Sequence, residues 1–293
     1  MTRMTISLPD EFSFPLTLSF LERSPRELLH RVEKKKILKL LSIEGSHVLF
    51  SIQGSGKQLR LEMLHGEPSP AGKKVIAQYV REWLDLDTDL KPFYFLARTD
   101  ALLSPLVNEY RGYRIVGQPD LFESLVWAVL GQQINLAFAF TLKQRFVEKF
   151  GEMIEVSQQQ YFLFPSAHTV AELSSEALLA LQFSRQKAAY TIGIAQAFVD
   201  GELSKEKLTG MTLAEAREEL IRIKGIGNWT ANYALMKTFR YPDAFPLEDA
   251  GLHNAIKNQL GLKSKPSPER VKRIFKKYKG WEAYATLYLW KSL

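Results

Sequence analysis

The sequence predicts an α+β N-terminal domain over residues 1–104, followed by an all-α bundle over residues 105–293. Three observations predict it. Short, partly alternating apolar runs are confined to the first hundred residues and are separated by turn residues. From about Pro105 the apolar residues recur at helical spacing, with capping signals before the runs and glycines after them. The length of 293 residues, 46% of them hydrophobic, is enough for one large or two ordinary cores.

Taken in order, "KILKLLSI", "HVLFSIQ" and "QLRLEML" are strands of a small antiparallel meander, joined through "EGS" and "GSGK". "VIAQYVREWL" has helical spacing. Asp120 with Glu123 forms a capping box for a helix whose face carries Leu121, Phe122, Leu125, Val126 and Val129, with Gly131 near its end. Asn135 caps the next helix, which runs to Phe150 and stops at Gly151. Thr169 with Glu172 and Thr212 with Glu215 read as two further capping boxes. "SRQKAAYTIGIAQAFVDG" is a helix ending at a glycine, Ser267-Pro268 opens a basic helix, and "GWEAYATLYLWKS" forms an aromatic-rich last one. No internal repeat or low-complexity segment interrupts the pattern.

Charge narrows the partner. Lys and Arg number 39 against 32 acids, a net charge of +7. The excess is local: from Ala250 to Leu293 there are ten basic residues and two acidic ones. This favours an anionic partner, nucleic acid first and an anionic membrane second, although a solvated basic face has the same signature. There is no cysteine, so disulfides, Cys-zinc sites and thiolate-held iron–sulfur clusters are excluded. The five histidines show no ligand spacing. The opening "MTRMTISLPDEF" lacks an apolar signal core, and the longest apolar runs are too short to span a bilayer, so a cytoplasmic protein with no membrane partner is expected.

The stretch that carries chemistry is "IRIKGIGNWTANYALMKTFRYPDAFPLEDAGL", from Ile221 to Leu252. It reads as a helix over 213–222, the turn Lys224-Gly225-Ile226-Gly227, and a second helix from Asn228 to Phe239. So short a turn needs glycine where φ is positive and where a close approach must stay open. Free N–H groups at the start of the second helix suit an anion such as phosphate. Ile226 would plug the turn into the bundle. The same Gly-Ile-Gly also suits an ordinary αα-hairpin, Asp249 after Pro246 also suits a helix N-cap, and Trp229 with Tyr233 at helical spacing also suits core packing.

This stretch resembles the helix-hairpin-helix DNA glycosylases, and specifically the bacterial 3-methyladenine DNA glycosylase II (AlkA-like) family. The resemblance rests on "LIRIKGIGNWTANYALM" with "DAFPLEDAGL", on "GYRIVGQPDLFESLVWAVLGQQINLAFA", and on the terminal "YATLYLW". It implies a helix-hairpin-helix motif over 213–239 and a catalytic carboxylate at Asp249 rather than Glu248. It implies a base pocket walled by Trp229, Tyr233 and Trp290. It implies DNA contacts at Lys224, Gly225, Ile226, Gly227, Asn228 and Thr230. The backbone carbonyls of Ile221, Ile223 and Ile226 would hold a sodium or potassium ion; no other cofactor is expected. The wedge that fills the gap left by a flipped base would come from Gln132-Gln133-Ile134-Asn135, with Gln133 where some relatives have leucine. Strand-cleaving relatives carry a lysine two residues after the second hairpin glycine, where this chain has Trp229.

The expected function is therefore hydrolytic release of alkylated purines from damaged duplex DNA by a monomer at the bacterial nucleoid. An N-alkylated purine is cationic, so its glycosidic bond is already weak. Catalysis then needs a carboxylate facing the sugar and electron-rich aromatic faces around the base. Two other readings compete: an oxidised-guanine glycosylase that also cleaves the strand, and a non-catalytic DNA-binding module.

Overall fold

The computed structural model describes residues 2–293. The first strand, β1 (Arg3–Ser7), is followed by helix α1 (Phe14–Leu21), which Ser13 caps by accepting from the amide of Leu16. Then come β2 (His30–Glu33), β3 (Lys36–Ile43), β4 (Ser46–Ser55) and β5 (Gln58–His65). The five strands form one antiparallel sheet in the order β1-β5-β4-β3-β2. The meander expected from three runs is β3, β4 and β5; β1 and β2 extend it at the two edges. Both are short, and neither fully buries an alternating face, so their periodicity is faint.

Helix α2 (Pro70–Trp83) covers one face of the sheet with Ile76, Val80 and Trp83 against Ile37, Phe50, Ile52, Leu59 and Leu61. The other face carries Leu38, Leu40 and Leu49, which pack against Tyr161. Central β3 and β4 are thus buried on both sides, so their runs read as nearly continuous rather than alternating.

Helices α3 (Lys91–Ala97) and α4 (Ser104–Glu109) lead into α5 (Leu121–Gly131) and α6 (Leu136–Phe150). A second, larger core begins at Leu90, so Phe93, Tyr94 and Ala97 of α3 share the apolar centre of the bundle. A hairpin, β6 (Met153–Val156) with β7 (Gln159–Phe162), brings Tyr161 back onto the N-terminal sheet. It had no counterpart in the sequence expectation. Next come α7 (Ala167–Ala171), α8 (Ser175–Leu179), α9 (Arg185–Val199), α10 (Lys205–Leu208) and α11 (Leu213–Ile221). Helix α12 (Asn228–Ala234) runs on as a π-helical turn over Leu235–Phe239, so the helix expected from Asn228 to Phe239 is continuous. The chain ends with α13 (Ala250–Gln259), α14 (Pro268–Phe275) and α15 (Glu282–Lys291).

Capping follows the sequence at Asn135, Thr212 and Ser267. Two expectations are corrected. Ser166, not Thr169, opens its helix, accepting from the amide of Thr169 at 3.0 Å. Asp120 caps α5, but Glu123 does not complete the box; it turns inward to Lys143 at 3.3 Å. That lysine also bonds Glu27, in the loop before β2, at 3.0 Å and so ties the two cores together.

Candidate functional site

The turn between α11 and α12 is built as the spacing predicts. The Ile226 amide donates to the Ile223 carbonyl at 3.1 Å, and the Ile226 side chain is 3% exposed inside the bundle. The two glycines have different reasons to be there. Gly225 has φ +98°, and a Cβ on it would lie 2.3 Å from the ring of Tyr190, so both conformation and packing exclude a side chain. Gly227 sits at φ −91°, ψ −179°, which other residues adopt freely, and nothing lies within 4 Å of where its Cβ would be. Positive φ is thus the reason for glycine at Gly225, and an open approach the reason at Gly227. The open space at Gly227 lies outside, where Gly227, Asn228 and Lys224 are exposed beside the free amides of α12.

Asp249 starts α13 as its N-cap and is half-buried. Its Oδ1 accepts from the Leu252 amide at 2.6 Å and from the Trp290 indole at 2.8 Å. Its Oδ2 accepts from the Trp229 indole at 3.1 Å. All three partners are donors, so the group serves only as an acceptor. A Cβ on Gly251 would come within 3.0 Å of Oδ1, which keeps that residue small. Glu248, next to it, points into solvent. His253 does not face the carboxylate; its two ring nitrogens lie 2.8 and 3.1 Å from the carbonyls of Leu247 and Pro266.

The three aromatic residues converge on this carboxylate. Trp229 and Tyr233 stack with centroids 5.3 Å apart at 23°, and Trp290 stands 6.4 Å from Tyr233 at 45°. Sequence reasoning missed the wall behind them. The Trp127 indole donates to the Tyr233 hydroxyl at 2.9 Å, and Phe140 packs 4.8 Å from Trp127. Burial pushes the Tyr233 phenol above its usual pKa. Trp127 falls in the apolar run of α5 and looks there like any other core residue.

The turn between α5 and α6 lies against the hairpin. Gln132 donates from Nε2 to the Gly225 carbonyl at 3.2 Å and to the Thr230 hydroxyl at 3.0 Å. Thr230 was expected to touch DNA; it is 2% exposed and braces this turn instead. Within the turn expected to supply the wedge, Ile134 is half-buried against Trp127 and Phe140, whereas Gln133 is exposed at φ +56°. Leu136, two residues beyond Ile134, is an exposed apolar side chain that sequence reasoning passed over. Among the described residues, no group of three or more His, Asp or Glu side chains is placed to hold a metal ion.

A sheet-bearing domain, a helical bundle, an outward-facing glycine hairpin and an aspartate held between indoles define a DNA base-excision fold. The chain belongs to the HhH-GPD superfamily of base excision DNA repair proteins, whose model matches residues 126–280. Residues 22–125 match the 8-oxoguanine DNA glycosylase N-terminal domain. Within the superfamily, the chain is 41% identical to the DNA-3-methyladenine glycosylase of Bacillus subtilis (strain 168), over 99% of this chain and 97% of that one. A 3-methyladenine DNA-glycosylase structure from Archaeoglobus fulgidus has the same fold, with a TM-score of 0.84 at 24% identity, covering 99% of this chain and 97% of that one. A 3-methyladenine DNA glycosylase from Schizosaccharomyces pombe, in complex with abasic DNA, aligns with a TM-score of 0.57 at 26% identity, over 67% of this chain and 93% of that one.

Proposed function

We propose that the protein is a monofunctional DNA glycosylase that flips an alkylated purine out of damaged duplex DNA and hydrolyses its N-glycosidic bond, leaving an abasic site. One observation carries this: Asp249 is fixed by Trp229 and Trp290, the two indoles that flank Tyr233 in the aromatic cluster. Pulling the base from the stack costs a few kcal/mol. Amides at Gly227 and Asn228, with Lys224, grip the phosphate backbone and offset that cost. The flipped cationic purine lies against Trp229, Tyr233 and Trp290, held by stacking and cation–π attraction. Asp249 then faces the sugar, where its charge stabilises the oxocarbenium-like transition state and orients the attacking water. The protein acts as a monomer in the cytoplasm; no helix among the described residues is long and apolar enough to cross a membrane.

The neutral carbonyls of Ile221, Ile223 and Ile226 suit a monovalent cation, with the Ile223 carbonyl already accepting one hydrogen bond. Such an ion would add positive charge beside the DNA phosphate. No other cofactor is needed by this chemistry.

A strand-cleaving mechanism needs an amine beside the sugar, and Trp229 occupies that position with its indole bonded to Asp249. Incubation with alkylated duplex is therefore expected to release free base without breaking the strand, and borohydride is expected to trap no protein–DNA adduct. A robust adduct would reinstate the lyase reading; binding without base release would leave a DNA-binding module.

Gly227 separates hairpin function from hairpin folding. Gly227→Val fits the observed backbone and meets open space, so the melting temperature should barely change. Its branched side chain covers the exposed amides. Duplex binding should weaken about tenfold, or roughly 1.4 kcal/mol, on every sequence alike. A folded variant with unaltered affinity would make the hairpin a structural turn only.

A further inference from the structure

The turn Gly131–Ile134 is gripped from two sides. Gln132 ties it to the hairpin, as described above. From below, the ammonium of Lys187 donates to the carbonyls of Val129 and Leu130, both at 2.8 Å, and of Gln132 at 2.7 Å. Lys187 lies in the first turn of α9 and is only 8% exposed.

This is a costly way to end a helix. Burial pulls the Lys187 pKa down to about 8, and its three bonds all go to neutral carbonyls. The positive charge also sits at the N-terminal end of its own helix, where the macrodipole disfavours it. It favours only the C-terminal end of α5, whose last carbonyls it caps. The very next residue after the third carbonyl is Gln133, exposed and left-handed, a conformation that strains a non-glycine residue. A glycine here, or an ordinary polar cap, would end α5 without either cost. Backbone strain held in place by surrounding bonds, on an exposed turn beside the hairpin, is the pattern of a shape kept for use.

We propose that Lys187 is a positioning residue for base flipping: it holds the Gln132–Gln133 turn in the shape that enters the duplex, in register with the hairpin's hold on the phosphates. This rests on the glycosylase function proposed above. The bond from Gln132 to Gly225 makes the entering turn and the gripping hairpin one rigid unit, with Lys187 underneath. Loosening that unit affects the extrusion step and spares a base that is already outside the stack.

The test compares wild type with Lys187→Met, which keeps the length and removes the donors, and with Lys187→Gln, which keeps one donor group if the Met variant folds poorly. Thermal melting checks folding. Single-turnover excision of one alkylated purine is measured from a fully paired duplex and from a duplex where that base is bulged out. A 2-aminopurine beside the paired lesion reports unstacking by its fluorescence. Excision from the paired duplex should fall about tenfold or more with loss of the fluorescence rise, and excision from the bulge should stay within about threefold. Equal losses on both substrates, or no loss on either, would overturn the proposal while leaving the glycosylase function standing. Wild-type protein that releases no base from either duplex would remove the glycosylase function and this inference with it.

Discussion

Asp249→Asn is expected to bind damaged duplex as tightly as wild type, or more tightly, and to excise the base at least about a hundredfold more slowly, a loss of roughly 2.7 kcal/mol in transition-state stabilisation. The substitution is close to isosteric. The asparagine oxygen can keep the bonds from the Leu252 amide and the Trp290 indole, so the cap on α13 survives and the melting temperature should change little. What disappears is the negative charge that would face the developing positive charge on the sugar. One local change accompanies it: the asparagine NH2 meets the Trp229 indole N–H, donor against donor. Trp229→Phe probes that part, since it keeps an aromatic face but removes the indole donor together with one fused ring; its cost should be nearer tenfold. Glu248→Gln should cost less still, because Glu248 is exposed. Single-turnover excision by the three variants decides the assignment. Near-normal excision by Asp249→Asn, or an equal loss in Glu248→Gln, would move the chemistry to another group.

The site was legible in the sequence where one residue type does one physical job. Gly225 must be glycine for its backbone, and Asn135, Thr212 and Ser267 must accept hydrogen bonds from helix amides; each leaves a local mark. Asp249 was singled out only through the family resemblance of the segment around the hairpin, since as a cap alone it looks like Ser267. Contacts made across the fold left no mark. Trp127 supports Tyr233 from 106 residues away, and Tyr190 closes over Gly225 from a helix that reads as ordinary. The Thr230 side chain is buried because a helix N-terminus faces outward only over part of its circumference, and a resemblance of motif does not say which part. The fold shows the same division. The buried strands β3 to β5 announce themselves, while β1, β2 and the β6–β7 hairpin depend on partners distant in sequence.

Lys143→Met should be among the most destabilising single changes in the protein, by about 3–5 kcal/mol at pH 7.5. Lys143 is 5% exposed and its partners Glu27 and Glu123 are nearly as buried. Burial alone pushes the Glu27 carboxyl up; Lys143 most of all, with His30 and the Leu29 amide, more than reverses this and holds it at about 2. The sign of the pH dependence follows. With a folded pKa below the unfolded value of about 4.5, Glu27 contributes stability that is present above pH 4.5 and lost as the pH falls through about 2. Without the lysine, Glu27 and Glu123 lose their bonded partner and keep only the unbonded charges of Lys39 and His30 nearby, so burial is expected to lift the folded pKa of Glu27 above the unfolded one. Its contribution then reverses: the variant gains stability as the pH drops from 7.5 toward 5, where wild type does not. Adding Glu27→Gln to Lys143→Met should restore part of the loss by removing one stranded charge. The pocket shares in the damage, because Lys143 lies 5.5 Å from the ring centre of Trp127, which supports Tyr233. Urea melts of the single and double variants at pH 7.5 and 5 measure all of this. A single-variant loss below about 1 kcal/mol, or a stability that does not rise from pH 7.5 to 5, would mean that the Lys143 ion pairs add little to the joint between the N-terminal domain and the bundle.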